Sequence, residues 1–322
     1  MSLIQSEDKP IRVGLSACLA GDEVRFNGGH ARQAYLTNTL GQFFEFVTAC
    51  PEVEAGMTVP RPTVRLVNSG GRIRVVDPKN EIDWTAAMED HAVERASMVT
   101  DNDLSGFILK SKSPSCGVER VKVYHENGMP QMNGRGIFAV ELLRRYPWLP
   151  VEEEGRLNDP SLRENFVERV FAYQRLKGLF KSRWTVGAVV DFHTTEKLLL
   201  RAHHETTYRQ LGRLVADAKG MPRPAFAAEY QSTFMKAMSY KTTVRKHTNV
   251  LEHMLGHLRD SGDDEARGQA RTAIEDYRNG LVPLIVPVTL FLYFAKRYEI
   301  DYLNRQSYLR PHPKELMLRN HV

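Results

Sequence analysis

Cysteine is scarce in this 322-residue chain, with only Cys18, Cys50 and Cys116. An odd number of thiols argues against a disulfide framework. No Cys-x-x-Cys pair occurs, so the usual signature of a zinc knuckle is missing as well. Long apolar runs are also absent. No stretch reaches 18 apolar residues, and the longest, Leu281 to Ala295, is interrupted by Pro283 and Pro287. A membrane span is therefore not expected. Residues Met1 to Pro10 carry Glu7 and Asp8 and lack the apolar core of a signal peptide. The expectation is a cytoplasmic protein. There is no internal repeat and no low-complexity tract.

What remains has the composition of a globular protein, and the length suits two domains. Charge divides them. Residues 1–165 hold 19 Lys and Arg against 23 Asp and Glu, a net −4, whereas residues 166–322 hold 25 against 16, a net +9. An acidic half joined to a basic half suggests that one domain does chemistry while the other meets a polyanion.

Pattern supports the same division. Ile11 to Ser16 reads as a strand leading into a small-residue turn at Ala17-Cys18-Leu19-Ala20-Gly21. Phe43 to Ala49 reads as a second element that ends at Cys50, and Gly106 to Leu109 as a short apolar strand before Cys116. Trp84 to Asp101 and Ile137 to Arg145 have helical spacing. Alternating strands and helices predict an α/β class, with a Rossmann-like layered N-terminal domain on a mostly parallel sheet. In such sheets ligands gather beyond the carboxyl ends of the strands, so the three cysteines can meet at one edge. Pro147 to Pro160, with Glu152, Glu153 and Glu154, reads as the exit from this domain. Helical patterns follow over Leu162–Leu176, Val189–Lys219, Phe226–Leu258, Glu265–Tyr277 and Pro283–Tyr298. The expected organisation is residues 1–160 as the α/β domain and residues 161–322 as an all-α domain.

Three thiolates converging from separate loops can hold a [4Fe–4S] cluster in which one iron lacks a protein ligand. That iron would be a Lewis acid suited to a soft substrate atom such as sulfur. Zinc on three cysteines and a water is a fair competitor. Lys110-Ser111-Lys112-Ser113-Pro114-Ser115-Cys116-Gly117 surrounds the third thiol with hydroxyls and cations, although Ser, Pro and Gly are also common turn residues. Glu52 lies two residues after Cys50 and is a candidate general base on water. Glu45, five residues before Cys50, is a second candidate, and a solvated surface acid explains it nearly as well.

Ser16-Ala17-Cys18-Leu19-Ala20-Gly21 followed by Arg25-Phe26-Asn27-Gly28 resembles the first motif of the thiouracil desulfurase family. Cys50-Pro51-Glu52-Val53 with Gly56 and Pro60-Arg61-Pro62 resembles its second motif. Leu109-Lys110 and Ser113-Pro114-Ser115-Cys116-Gly117 resemble its third. The resemblance covers roughly residues 10–150. It implies a [4Fe–4S] cluster on Cys18, Cys50 and Cys116, with the open iron binding a thiocarbonyl sulfur that water then replaces. Ser113 joins the candidate catalytic residues, and Ser16, Asn27, Arg61, Lys110 and Ser115 are candidates to bind substrate. Residues 155–322 resemble the helical domain often fused to this one. The fusion is similar to tRNA 4-thiouridine desulfidases, whereas single-domain relatives act on free thiouracil.

In the basic half, Arg201, His203, His204, Arg209 and Arg213 form one run around Tyr208. Lys236, Lys241, Arg245, Lys246 and His247 form another around Tyr240. Cations with interleaved aromatics suit RNA phosphates and unpaired bases, so Arg201, Arg209, Arg245 and Lys246 are the candidate RNA contacts. Solvated helix faces are the plainer explanation. His253 and His257 share a helix face at zinc-ligand spacing, but this half has no cysteine. The expected partner is tRNA containing 4-thiouridine, with free thiouracil or thionucleosides as the alternative, and no protein partner is evident. A third alternative is a non-catalytic nucleic-acid-binding accessory protein.

Overall fold

The computed structural model describes residues 10–125, 128–181, 183–259 and 263–321. The segment read for a signal peptide lies, up to Lys9, outside the described residues. The chain divides into two compact units, Met1–Asn158 and Asp159–Val322.

The first unit runs in the order β1 (Ile11–Ser16), α1 (Ala17–Ala20), β2 (Phe44–Ala49), α2 (Pro51–Glu54), β3 (Arg65–Ser69), β4 (Arg72–Asp77), β5 (Ile82–Asp83), α3 (Thr85–Ala96), α4 (Met98–Asp101), β6 (Phe107–Leu109), β7 (Val121–Tyr124), β8 (Pro130–Gly134), α5 (Ile137–Arg145) and β9 (Val151–Glu153). Two sheets form. The first has strand order β2-β1-β6-β9 and every pairing in it is parallel. Its central strands are apolar on both faces, as a covered parallel sheet requires: Phe107, Ile108 and Leu109 are fully buried beside Val13 and Leu15. Gly14 is needed there, because a Cβ would sit 2.3 Å from the Phe107 ring.

The second sheet, β5-β4-β3-β7-β8, was not expected. It is mixed, with β3 parallel to β7 and the other pairs antiparallel. Leu66, Val75, Val121 and Val123 from its inner face pack with Met57 and Met88 into one core. The helix expected over residues 84–101 is divided into α3 and α4 at Ser97. The stretch read as a plain domain exit contains β9, which closes the edge of the parallel sheet.

The second unit is helical: α6 (Pro160–Phe180), α7 (Val186–Ala216), α8 (Arg223–Ser239), α9 (Val244–His257), α10 (Asp264–Arg278), α11 (Ile285–Arg297) and the short α12 (Asp301–Asn304). α6 starts where Asp159 caps the backbone N–H groups of Ser161 and Leu162, with Pro160 at the first helical position. The pattern over Phe226–Leu258 is two helices, since the chain leaves helical geometry at Tyr240 and restarts from the Thr243 cap. α7 is broken at His204, whose φ of −156° and ψ of 99° are extended. No helix among the described residues is long and apolar enough to cross a membrane.

Candidate functional site

The parallel sheet delivers the three cysteines to one place. Cys18 lies in α1, the short helix directly after β1, Cys50 follows β2 directly, and Cys116 lies in the loop after β6. All three are free thiols. They line a single cavity of about 390 Å³, with Ser16, Glu52, Arg61, Lys110, Ser113 and Ser115 among the other lining residues.

Each loop is pinned. Cys50 donates its backbone N–H to the Glu54 carboxylate at 2.9 Å, and Glu54 is held in turn by Arg95 at 2.8 Å. Ser16 Oγ accepts from the backbone N–H of Lys110 at 3.0 Å, which ties the first cysteine turn to the third. The Cys116 loop caps α5: Pro114 and Ser115 carbonyls accept from the backbone N–H groups of Ile137 and Phe138 at 3.1 and 3.0 Å. Gly136 permits this approach, because a Cβ there would lie 2.4 Å from the Ser115 carbonyl. Two buried glutamates, Glu153 at the end of β9 and Glu154 just after it, clamp the loop. Glu153 accepts from the backbone N–H of Val118 at 2.7 Å, and Glu154 accepts from that of Ser111 at 2.6 Å while pairing with Lys110. Neither glutamate was a candidate from sequence. A run of three acids reads as solvated surface until the fold shows Glu153, at the end of β9, and Glu154, just after it, both buried.

Glu52 is the one candidate base in the cavity. Its carboxylate pairs with Arg61 and accepts from Ser115 Oγ at 2.7 Å and Ser113 Oγ at 3.4 Å. Arg61 is fixed by donating to the Val24 and Thr58 carbonyls. Glu45 is corrected: it sits near the start of β2, exposed and paired with Arg12 at 3.1 Å. Five residues of strand separate it from Cys50, roughly 16 Å at the strand rise. Asn27 is also outside the lining. It is exposed, and its side chain accepts from the backbone N–H of Gly29, shaping the turn.

Without a metal the three thiols are held protonated. Burial and the neighbouring Cys50 push Cys18 up to about 11, burial pushes Cys116 up to about 12, and burial raises Cys50. The set is made of soft donors that repel one another when ionised, which suits a group able to accept thiolates. Among the described residues no three His, Cys, Asp or Glu side chains are arranged to hold one metal ion. A single zinc needs every sulfur about 2.3 Å from one point, whereas a cluster takes each thiolate on a different iron and so spreads the ligands. Three soft thiolates are a donor set of the type that holds an iron–sulfur cluster.

Residues 13–154 match the 2-thiouracil desulfurase family, and residues 197–313 match a domain family of unknown function, DUF1722. The uncharacterized protein YbgA of Escherichia coli K12 is 32% identical over 153 residues, covering 47% of this chain and 90% of that one. The chain belongs to the 2-thiouracil desulfurase family, extended by a DUF1722 domain. The uncharacterized YbbK of Bacillus subtilis 168 is 28% identical over 45% of this chain and 97% of its own. A solved structure described as a [4Fe-4S]-dependent thiouracil desulfidase, TudS, is 29% identical, covers 47% of this chain and 95% of its own, and has a TM-score of 0.37.

In the DUF1722 unit, Arg201, Arg209 and Lys246 line a second, open cavity with His204, Glu205 and Asn249. The cations there are less free than the sequence suggests. Arg201 and Arg209 share Glu205 at 2.8 and 3.1 Å, and Lys246 donates to the His203 and Lys241 carbonyls at 2.7 and 2.8 Å. Arg245 is exposed and outside this lining. His203 and His247 are buried, so they leave the basic runs. His204 stacks on Tyr240 with ring centroids 3.9 Å apart. The rings of His253 and His257 lie 5.4 Å apart, with no third metal-ligating side chain placed to join them among the described residues.

Proposed function

We propose that this chain removes sulfur from a thiolated uracil, with 4-thiouridine in tRNA as the substrate and uridine as the product. Cys18, Cys50 and Cys116 would hold a [4Fe–4S] cluster. The observation that supports this best is that three free thiols from the ends of three adjacent strands line one cavity with a glutamate held in it by an arginine and a serine.

When bound, the cluster would supply an iron without a protein thiolate, soft enough to draw electron density from a C–S bond. The protein's own residues do the rest. Arg61, Ser113 and Ser115 fix the Glu52 carboxylate, and Glu52 takes a proton from the attacking water as its oxygen bonds to the ring carbon. The C–S bond breaks and sulfur leaves as sulfide, so oxygen replaces sulfur with no net electron transfer. Val24, Phe26, Pro51 and Val64 line the cavity and supply apolar walls for a flat base. A base within folded RNA must be turned out of its stack to enter. The net +9 of residues 166–322 and the cavity bearing Arg201, Arg209 and Lys246 support an RNA substrate.

A second reading, a free thiobase or thionucleoside as substrate, is favoured by one fact: residues 16–116 alone supply the whole lining of the cysteine cavity. The test is anaerobic incubation of cluster-loaded protein with thiolated tRNA and, in parallel, with free 4-thiouridine. The tRNA reading expects loss of the thiouridine absorbance with kcat/KM at least tenfold higher for tRNA. Equal values would favour the second reading, and no loss with either substrate would overturn both.

A further inference from the structure

Three side chains that do not line the cavity, Glu54, His91 and Arg95, hold Cys50 from behind. Cys50 is the N-cap residue of α2, and its side chain makes no capping bond. Its backbone N–H goes to Glu54 Oε1 at 2.9 Å. The other carboxylate oxygen of Glu54 meets Arg95 Nε at 2.8 Å and His91 Nε2 at 3.2 Å. His91 and Arg95 stand four residues apart on α3 and so share a face. Arg95 also donates to the Thr48 carbonyl at 3.2 Å. One guanidinium therefore holds the chain on both sides of Cys50, through Thr48 in β2 and Glu54 in α2. The side chains of Glu54, His91 and Arg95 are 29, 14 and 33% exposed, so water screens their charges only in part.

Holding a loop in place does not require an anion. Cys116 also commits its backbone N–H within the protein, but to the neutral Ser113 hydroxyl at 3.2 Å. At Cys50 the same kind of bond goes to a carboxylate that an arginine compensates. This has an electrostatic consequence for an iron–sulfur centre on the thiolates. N–H groups that donate to its sulfurs stabilise the more negative, reduced form, and nearby anions destabilise that form. Glu54 acts twice in one direction. It withholds the Cys50 N–H, and it places negative charge beside that residue. Arg95 opposes the second effect.

We infer that Glu54 is a positioning residue that acts through Cys50, set against Arg95 to keep the reduction potential of the cysteine centre low. The inference rests on the cluster of the proposed function and not on its RNA substrate. Exchange of sulfur for oxygen needs no net electron transfer. An iron that draws on a C–S bond does so best when the centre is oxidised and electron-poor, and a low potential holds it in that state. His91 shares an oxygen of Glu54 and fixes the direction of the carboxylate.

The test is redox titration of the cluster-loaded full chain, followed by absorbance and electron paramagnetic resonance, in wild type, Glu54→Gln and Arg95→Gln. Glu54→Gln keeps an oxygen able to accept from Cys50 but loses the charge, so the midpoint should shift upward. Arg95→Gln leaves the carboxylate uncompensated, so the midpoint should shift downward. Opposite shifts at full iron content are the expected result. Unmoved midpoints, shifts of one sign, or loss of iron in both variants would make Glu54 a structural pin and overturn the inference. Hydrogen exchange at the Cys50 amide is measured on cluster-free protein, and Glu54→Ala should speed it by at least about tenfold. An unchanged rate there would also overturn the inference. Opposite shifts without turnover of any thiolated uracil would sink the desulfuration reading and leave this one standing. A wild type that takes up no iron–sulfur cluster would overturn this inference and the proposed cofactor together.

Discussion

The two units treat their polar side chains in opposite ways. In the α/β unit, Glu52, Ser113, Ser115 and three thiols are fixed by neighbours yet face an open cavity. In the helical unit the strongest polar network is sealed. Arg319 donates to Glu168 at 2.6 Å and to the Tyr308 carbonyl at 2.6 Å. His203 bridges Glu168 and the Tyr240 carbonyl, and His247 contacts Tyr308 at 3.0 Å. Polar groups with spare valence beside empty space are placed for chemistry. Polar groups that satisfy one another inside a core specify packing. Histidine count alone misleads here: the helical half holds eight of eleven, and its buried ones serve the fold.

The largest effect that would sharpen this contrast comes from the thiols. Serine at Cys18, Cys50 or Cys116 should abolish iron and sulfide retention and thiobase turnover, read by metal analysis and absorbance. Retention of full iron by any one variant would show that its thiol is not a ligand. Glu52→Gln should keep the iron and lower kcat by about 10²- to 10⁴-fold, the range for a lost general base. If kcat holds within a factor of a few, Glu52 is a structural partner of Arg61 only.

On the sealed side, Glu168→Gln should lower stability by about 3–5 kcal/mol, since it leaves buried Arg319 without its closest carboxylate. Denaturant midpoints would measure this, with iron content as the control that should not move. Acid should act on the same network. Burial lowers His312 to about 4 and His247 to about 3. Unfolded histidines take up protons near pH 6.5, so acidification favours the unfolded chain and stability should fall as pH drops from about 6.5 toward 4. The slope expected from these residues is about 1.4 kcal/mol per pH unit for each. Glu168 adds to this lower down. Burial raises it, but Arg319 and His203 together hold it well below the usual carboxylate range, so its contribution is lost as pH falls below the ordinary glutamate value. A flat stability profile from pH 7 to 5 would break the assignment. The smallest effect is on RNA binding, where Arg245→Ala should reduce the salt slope of tRNA affinity by about one.

The sequence made three strands of the parallel sheet, β1, β2 and β6, readable because they are short, largely apolar runs and each leads to a cysteine. Ile137–Arg145 was readable as α5 for a similar reason, bounded by glycine before it and proline after. The mixed sheet was hidden. Arg72–Asp77 alternates charged with apolar residues over only its first four positions and Arg65–Ser69 does not alternate, so neither stands out as a strand. The break at His204 was hidden as well, since it contains neither proline nor glycine; the neighbouring His203 contacts Glu168 and the Tyr240 carbonyl, partners distant in sequence. In the site, Glu52 was legible from its spacing to Cys50. Glu153, Glu154 and Glu54 were not, because their partners are backbone N–H groups brought to them only by the fold.

The central claim is tested most directly by iron and acid-labile sulfide analysis of anaerobically purified protein, followed in the same sample by desulfuration of thiolated tRNA. The account expects close to four irons and four sulfides per chain, the content of a [4Fe–4S] cluster, with loss of the thiouridine absorbance that depends on them. Zinc in place of iron, or a fully loaded cluster that leaves every thiolated uracil substrate unchanged, would contradict it.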